Sequence, residues 1–197
     1  MDREEALKLV QANVTNKNLF KHCLAVEAIM AAVAVRLNRI NEREAENGAN
    51  DANDPVKWAM AGLVHDIDYD STADKPLEHS KKGAEMLAEY GFDSDIVYAV
   101  KAHNEVHGIP LKNPMDIALY AADPLSGLIV AAALINPAKK LSAIDGQFVL
   151  NRFREKLFAK GAKREQIMKC EALGISLEDF IETGLAAMQA IASDIGL

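Results

Sequence analysis

Cysteine is nearly absent from this chain: Cys23 and Cys170 are the only two in 197 residues. They are too few and too far apart for a disulfide framework. Aromatic residues make up only 6% of the chain. Ala, Leu, Ile and Met are plentiful instead, which favours packed helices over strands. A basic surplus is also missing. The net charge of −7 argues against a general nucleic-acid binder, which needs a positive field to hold phosphates. It leaves room for a small phosphorylated substrate held locally. The opening Met1-Asp2-Arg3-Glu4-Glu5 has no apolar segment of the kind a signal peptide carries, so a cytoplasmic location is expected. One apolar run, Ile117 to Ile135, is long enough to span a bilayer. Asp123, Pro124 and Gly127 interrupt it, however, and a carboxylate at mid-membrane is costly. The expectation is a pair of buried core helices and no membrane partner.

What is present reads as one all-α domain over residues 1–197. Half the residues are apolar, enough for a sizeable core. A short helix is expected over 2–11 and a longer one over about 18–38. In the latter, Leu19, Cys23, Val26, Ile29/Met30, Val33 and Leu37 recur at three- and four-residue steps, and His22 lies on the edge of that stripe. Residues 41–55 are polar, Asn-rich and without periodicity, as in a loop or mobile insertion. Pro55 opens the next helix, which carries the chain to His65-Asp66. An irregular acidic segment, 67–78, follows. Helices are then expected near 80–90, ended by Gly91, near 93–106, and from Asn113-Pro114 to Asp123, where Pro124 must kink or break the helix before it resumes over 124–135. The remainder reads as helices near 145–160, 163–173 and 176–194. No strand, repeat or further low-complexity tract stands out.

The chemistry concentrates around "GLVHDIDYD", residues 62–70. A buried apolar helix that ends on an imidazole and a carboxylate needs a charge to pair with them, and a bound cation satisfies both. All five histidines, at positions 22, 65, 79, 103 and 107, fall in the first 107 residues. Taken singly, an inward histidine is usually a hydrogen-bonded core residue and an Asp before Pro is usually a cap. Taken together, His22, His65, Asp66, His79, His103 and Asp123 are six donors at helical or helix-end positions, and a metal site accounts for all of them. Consecutive helical residues project about 100° apart, so His65 and Asp66 cannot flank one ion symmetrically. Asp66 has two oxygens, however, and can share one ion with His65 while offering the other oxygen to a second. This imidazole and carboxylate set without thiolate suits two divalent cations among Fe, Mn, Zn and Co, and disfavours Ca.

The order His22, His65-Asp66, Asp123 resembles the signature of the HD-domain metal-dependent phosphohydrolase superfamily. His79 in "EHSKKGAEMLAEYGF" and His103 in "AVKAHNEVHG" resemble its dinuclear branch, which includes bacterial proteins that split diadenosine tetraphosphate symmetrically. "HDIDYD" and "ALYAADPLSGLI" are similar to bacterial proteins described as HDIG-type hydrolases. The resemblance covers about residues 18–135, and 136–197 would be a helical extension without a metal motif. It implies an all-α HD-domain bundle with metal held between helices. Two departures concern the substrate. Asp68-Tyr69-Asp70 stands where several relatives carry a Lys or Arg, and His103-Asn104 where some have a His pair.

The expected activity is hydrolysis of a phosphate ester or phosphoanhydride, in a nucleotide or other small phosphorylated molecule, by a metal-activated hydroxide. Asp66 and His65 lie at its centre. Lys101, Asn104 and His107 are candidates for holding the phosphate or protonating the leaving group, and Lys81 and Lys82 could reach a phosphate. The basic stretch Arg152, Arg154, Lys156, Lys160, Lys163 and Arg164 could gather phosphates, but a solvated face is the favoured reading. Phe148, Phe153, Leu157 and Phe158 are expected in the core. Two other readings remain open: a dinuclear-iron oxygenase on the same ligands, or a nucleotide-sensing domain without turnover. The Ala-rich segments 117–135 and 185–192 leave a homo-oligomer open.

Overall fold

The computed structural model describes residues 1–44 and 53–197, and most of the expected 41–55 loop lies outside the described residues. The helices in chain order are α1 (Arg3–Asn13), α2 (Lys17–Glu44), α3 (Pro55–Val64), α4 (Tyr69–Thr72), α5 (Lys81–Glu89), α6 (Ser94–Ala102), α7 (Pro114–Ile135), α8 (Gly146–Arg154), α9 (Arg164–Ile167), α10 (Leu177–Ala190) and α11 (Ala192–Ile195). Short 3-10 turns cover Glu105–His107, Leu141–Ala143 and Met168–Leu173. There is no strand among the described residues.

Local chemistry explains most of the helix starts. Asp2 and Glu5 form a reciprocal capping box on α1. Asp54 accepts from the Val56 N–H just ahead of Pro55 at the first position of α3. Asp93, Asp145 and Ser176 cap α6, α8 and α10 in the same way. Each satisfies a backbone donor that the helix itself leaves free. Gly91 and Gly174 follow helical segments with φ of +76° and +72°, the left-handed geometry that glycine adopts without a Cβ penalty.

Helices α2 and α7 form the centre. The α2 stripe is buried as its spacing predicts, with Cys23, Val26, Ile29, Met30 and Val33 fully enclosed. It packs against α3, α7 and α10. Helix α7 is covered by α2 on one side and by α6, α8 and α9 on others. Both helices are long and apolar enough to cross a membrane by length and composition, yet both are core helices of this fold.

Two sequence expectations need correction here. The run through Pro124 is one helix, not two. Proline removes one backbone hydrogen bond and costs roughly 3 kcal/mol. That is outweighed by the burial of Ala118, Leu119, Ala121 and Ala122 before it and of Leu125, Leu128 and Ile129 after it. Helix α8 stops at Arg154 rather than near 160, because the Arg164 guanidinium binds the carbonyls of Arg152, Phe153, Phe158, Ala159 and Ala162 and holds the intervening chain in turns. Leu157 on that turn is 80% exposed and is not core, whereas Phe148, Phe153 and Phe158 do pack against the core.

Candidate metal centre

The six expected donors come from five places in the chain. His22 projects from the second turn of α2, and His65 caps the C-terminus of α3 with Asp66 directly after it. His79 precedes α5, His103 caps the C-terminus of α6, and Asp123 lies mid-way along α7. The structure brings all six together. His65 is fully buried, and Asp66 and His103 nearly so.

Asp66 is the hub. Its Oδ2 faces His65 Nε2 at 3.4 Å and His22 Nε2 at 3.6 Å. Its Oδ1 faces His79 Nε2 at 3.4 Å and His103 Nε2 at 3.5 Å. On the Oδ2 side Asp123 Oδ1 stands 3.2 Å from His22 Nε2 and 4.0 Å from His65 Nε2, and the two ring nitrogens are 3.1 Å apart. His22, His65 and Asp123 therefore converge as one potential ligand group, and His65, Asp66 and His103 as another.

The opposite face of each ring explains the orientation. His65 Nδ1 donates to the Gly62 carbonyl at 2.8 Å and His103 Nδ1 to the Val100 carbonyl at 2.6 Å. His79 Nδ1 donates to Asp68 Oδ1 at 3.0 Å. His22 Nδ1 donates to Ser126 Oγ at 2.8 Å, and that hydroxyl in turn donates to the Asp123 carbonyl at 2.8 Å. All four rings thus carry a proton on Nδ1 and, when neutral, aim an Nε2 lone pair at Asp66. Nitrogen lone pairs that converge on a carboxylate are acceptors facing acceptors. Only a cation or extra protons make that favourable, and an outer hydrogen bond from Nδ1 is the usual mark of an imidazole that ligates metal.

Electrostatics agree with the geometry. Burial opposes the charge on Asp66, yet the imidazoles of His65, His103 and His22 hold its carboxyl well below the usual carboxylate range. Asp123 is likewise lowered against burial, chiefly by His22. Burial works against protonation of His65, but Asp66 and Asp123 prevail and raise it to about 9. Burial, with the charges of Asp66 and Asp123, pushes the Cys23 thiol well up, so the nearest cysteine stays a neutral thiol.

Residues outside the donor set hold it in place. Asp68 is almost fully buried. Besides orienting His79, it accepts from the Ser80 and Gly83 N–H groups at 2.9 and 3.0 Å, which steadies Ser80 at φ +68°. Neither Asp68 nor Ser126 is among the donors that the sequence pattern singles out; their spacing, two residues after Asp66 and three after Asp123, is the signal that marks them.

The expected substrate groups fare differently. Asn104 lines a cleft at the cluster, but its amide donates to the Pro76 and His79 carbonyls. His107 Nε2 donates to the same His79 carbonyl at 2.7 Å. Both therefore clamp the loop that carries His79. Lys101 and Lys81 are exposed and line neither opening of the site. Lys101 lies two residues before His103, about 200° around the helix from it, and Lys81 lies on α5 away from its buried face of Gly83, Ala84 and Leu87.

Two openings reach the donors around Asp123 and His79, and a third cleft touches His22 from its Ser126 side, beside Lys21. One of the two openings, of about 490 Å³, lies among His22, Asp66, Tyr69, His79 and Asp123, where the Tyr69 ring meets His79 edge-on at 5.0 Å. The other, of about 210 Å³, lies among His79, His103, Asn104, Glu105 and Asp123, with Lys163 and Gln166 also on its lining.

Fold and donor set together define an all-helical protein with an imidazole and carboxylate centre assembled between helices. The chain belongs to the HD domain family, whose profile matches residues 19–144, and members of that family are typically metal-dependent hydrolases. Ribonuclease Y of Oleidesulfovibrio alaskensis is 29% identical over 134 residues, which is 66% of this chain and 23% of that protein. Ribonuclease Y of Desulfotalea psychrophila is 33% identical over 127 residues, 61% of this chain and 24% of that protein. The chain thus spans about a quarter of the length of these relatives. An uncharacterised protein of Methanocaldococcus jannaschii is 30% identical over 165 residues, 80% of this chain and 87% of that protein. No solved structure matches.

Proposed function

We propose that this chain is a metal-dependent phosphohydrolase that cleaves a phosphate ester or phosphoanhydride of a nucleotide or other small phosphorylated molecule. The observation that carries the reading is Asp66, whose two oxygens each face a separate pair of imidazole Nε2 atoms. His22, His65, Asp66 and Asp123 would hold one divalent cation, and Asp66, His79 and His103 a second. Bound there, such cations supply Lewis acidity that brings a water's pKa toward neutrality and offsets charge on phosphate oxygens. The chain's own work is positional. The Nδ1 hydrogen bonds lock four rings in one tautomer and direction, Asp68 steadies the His79 turn, and Asn104 and His107 hold its carbonyl. Burial of His65 and Asp66 keeps bulk water from competing with the charges there. The substrate approaches through the two openings.

The relatives' name, Ribonuclease Y, brings a second reading: hydrolysis of an RNA phosphodiester. Against long RNA stand the net charge of −7 and the acidic residues Asp66, Asp70 and Asp123 around the wider opening, since RNA binding leans on basic side chains.

The test is metal analysis of the protein as purified, followed by a turnover screen with that metal. The screen covers phosphomonoesters, nucleotides, dinucleoside polyphosphates and a short oligoribonucleotide. Turnover of a small phosphate that Asp66→Ala abolishes supports the reading. Cleavage of the oligoribonucleotide alone favours the second. Metal-loaded protein with no turnover on any of these refutes both.

A further inference from the structure

Neither opening is lined by a basic side chain from the metal-bearing half of the fold. Among the described residues that line the two openings, Lys163 is the one lysine or arginine; Lys21 lines a separate cleft on the Ser126 side of His22. Lys163 comes from the C-terminal extension, immediately before α9, and shares the lining of the smaller cleft with His79, His103 and Asp123. Asp66 and Asp123 offset part of the charge that the cations supply, and a cationic side chain on the lining adds to the attraction for an anionic phosphate.

We propose that Lys163 is the substrate-phosphate contact of this site, held ready by Glu105 acting as its counter-ion until the phosphate arrives. Lys163 Nζ pairs with Glu105 Oε1, and Gln166 Nε2 donates to Glu105 Oε2 at 3.1 Å. Glu105 is thereby fixed from both sides, while the Lys163 side chain remains 48% exposed. An exposed ion pair is worth little in stability, so exchanging Glu105 for a doubly charged phosphate is an inexpensive move. The neighbouring Arg164 has a different task. Its guanidinium is consumed by backbone carbonyls and anchors the turn that presents Lys163. The alternative is that Lys163 and Glu105 merely tie the extension to the rest of the fold.

The inference rests on the phosphohydrolase reading, and two readouts keep the two apart. The first is calorimetric binding of inorganic phosphate to the metal-loaded protein, which needs no turnover. Lys163→Met is expected to weaken it about tenfold, Lys163→Arg to restore most of it, and Glu105→Gln to leave it equal or tighter. Metal content is expected to match wild type throughout. The second readout is KM for whichever phosphate ester turns over, expected to rise about tenfold in Lys163→Met. Equal phosphate affinity in wild type and Lys163→Met overturns the inference, as does wild type binding no phosphate. So does Glu105→Gln weakening binding as much as Lys163→Met, which is the signature of a purely structural tie. A wild type that binds phosphate through Lys163 but hydrolyses nothing defeats the phosphohydrolase reading and leaves this inference standing.

Discussion

Gly62→Ala should damage the metal centre without touching a ligand. A Cβ at Gly62 would lie 2.7 Å from the Val26 carbonyl oxygen and 2.8 Å from the Glu27 nitrogen. Both are α2 backbone, so no side chain can swing aside. Ordinary contact begins at 3.4 Å, so α2 and α3 must part by about 0.7 Å, an overpacking that typically costs about 1–3 kcal/mol. Alanine recovers about 1 kcal/mol of helix propensity, which leaves a net loss of up to about 2 kcal/mol. For a chain of this size that lowers Tm by up to about 8 °C. The larger effect falls on the site. Val26 lies one turn after His22 and Gly62 one turn before His65, whose Nδ1 is held by the Gly62 carbonyl. Metal–ligand distances tolerate about 0.2 Å, so parting the helices should weaken metal binding about 10–100-fold. Gly127→Ala is the control. It is exposed on α7, with nothing within 4 Å of its Cβ position, and should be neutral or slightly stabilising. Metal titration calorimetry and thermal scans of metal-free protein measure both effects. If Gly62→Ala equals Gly127→Ala in both, the reasoning about this contact is wrong.

Further outcomes follow from the same geometry. Asp66→Ala removes the one carboxylate that both imidazole pairs face, so bound metal, read by elemental analysis after dialysis, should fall by more than half; full retention would contradict the shared-carboxylate arrangement. Asp68→Asn leaves the His79 Nδ1–H and the Ser80 and Gly83 N–H groups with a poorer acceptor. It should cost about 1–3 kcal/mol by denaturant unfolding and weaken metal binding about 10–100-fold; unchanged values in both would remove Asp68 from its orienting role. In the metal-free protein His65 is raised to about 9 from 6.5. Its contribution to stability is therefore complete below pH 6.5 and disappears as pH rises through 9. Metal must displace that proton. Titration at pH 7.5 in buffers of different ionisation enthalpy should show about one proton released, and affinity should climb about tenfold per pH unit up to 9. A pH-independent affinity would show that His65 binds no proton there.

Much of this fold is legible from spacing alone. The α2 stripe, the Pro55 helix start and the Gly91 helix end are consequences of short-range geometry and backbone sterics, and the six candidate donors stand out because polar groups in apolar helices need partners. Pro124 shows the limit of such reasoning. Its local cost is real, but whether the helix breaks depends on what both halves bury, and that is a property of α2 and α6 rather than of the residues beside it. Lys101 and Lys163 show the same limit in the site. Lys101 is close to His103 in the chain and turned away from it, whereas Lys163 is 60 residues distant and lines the same cleft.

By itself, then, the sequence determined the all-helical class, the buried face of α2 and the chemical character of a candidate metal-binding set. Only the tertiary structure decided that Asp66 divides its oxygens between two imidazole pairs, that Asp68 and Ser126 orient rings from behind, and that the C-terminal extension contributes a cation. The reason is physical: side-chain direction along one helix follows from 3.6 residues per turn, but the register between helices is set by contacts such as Gly62 against Val26, which no local pattern encodes.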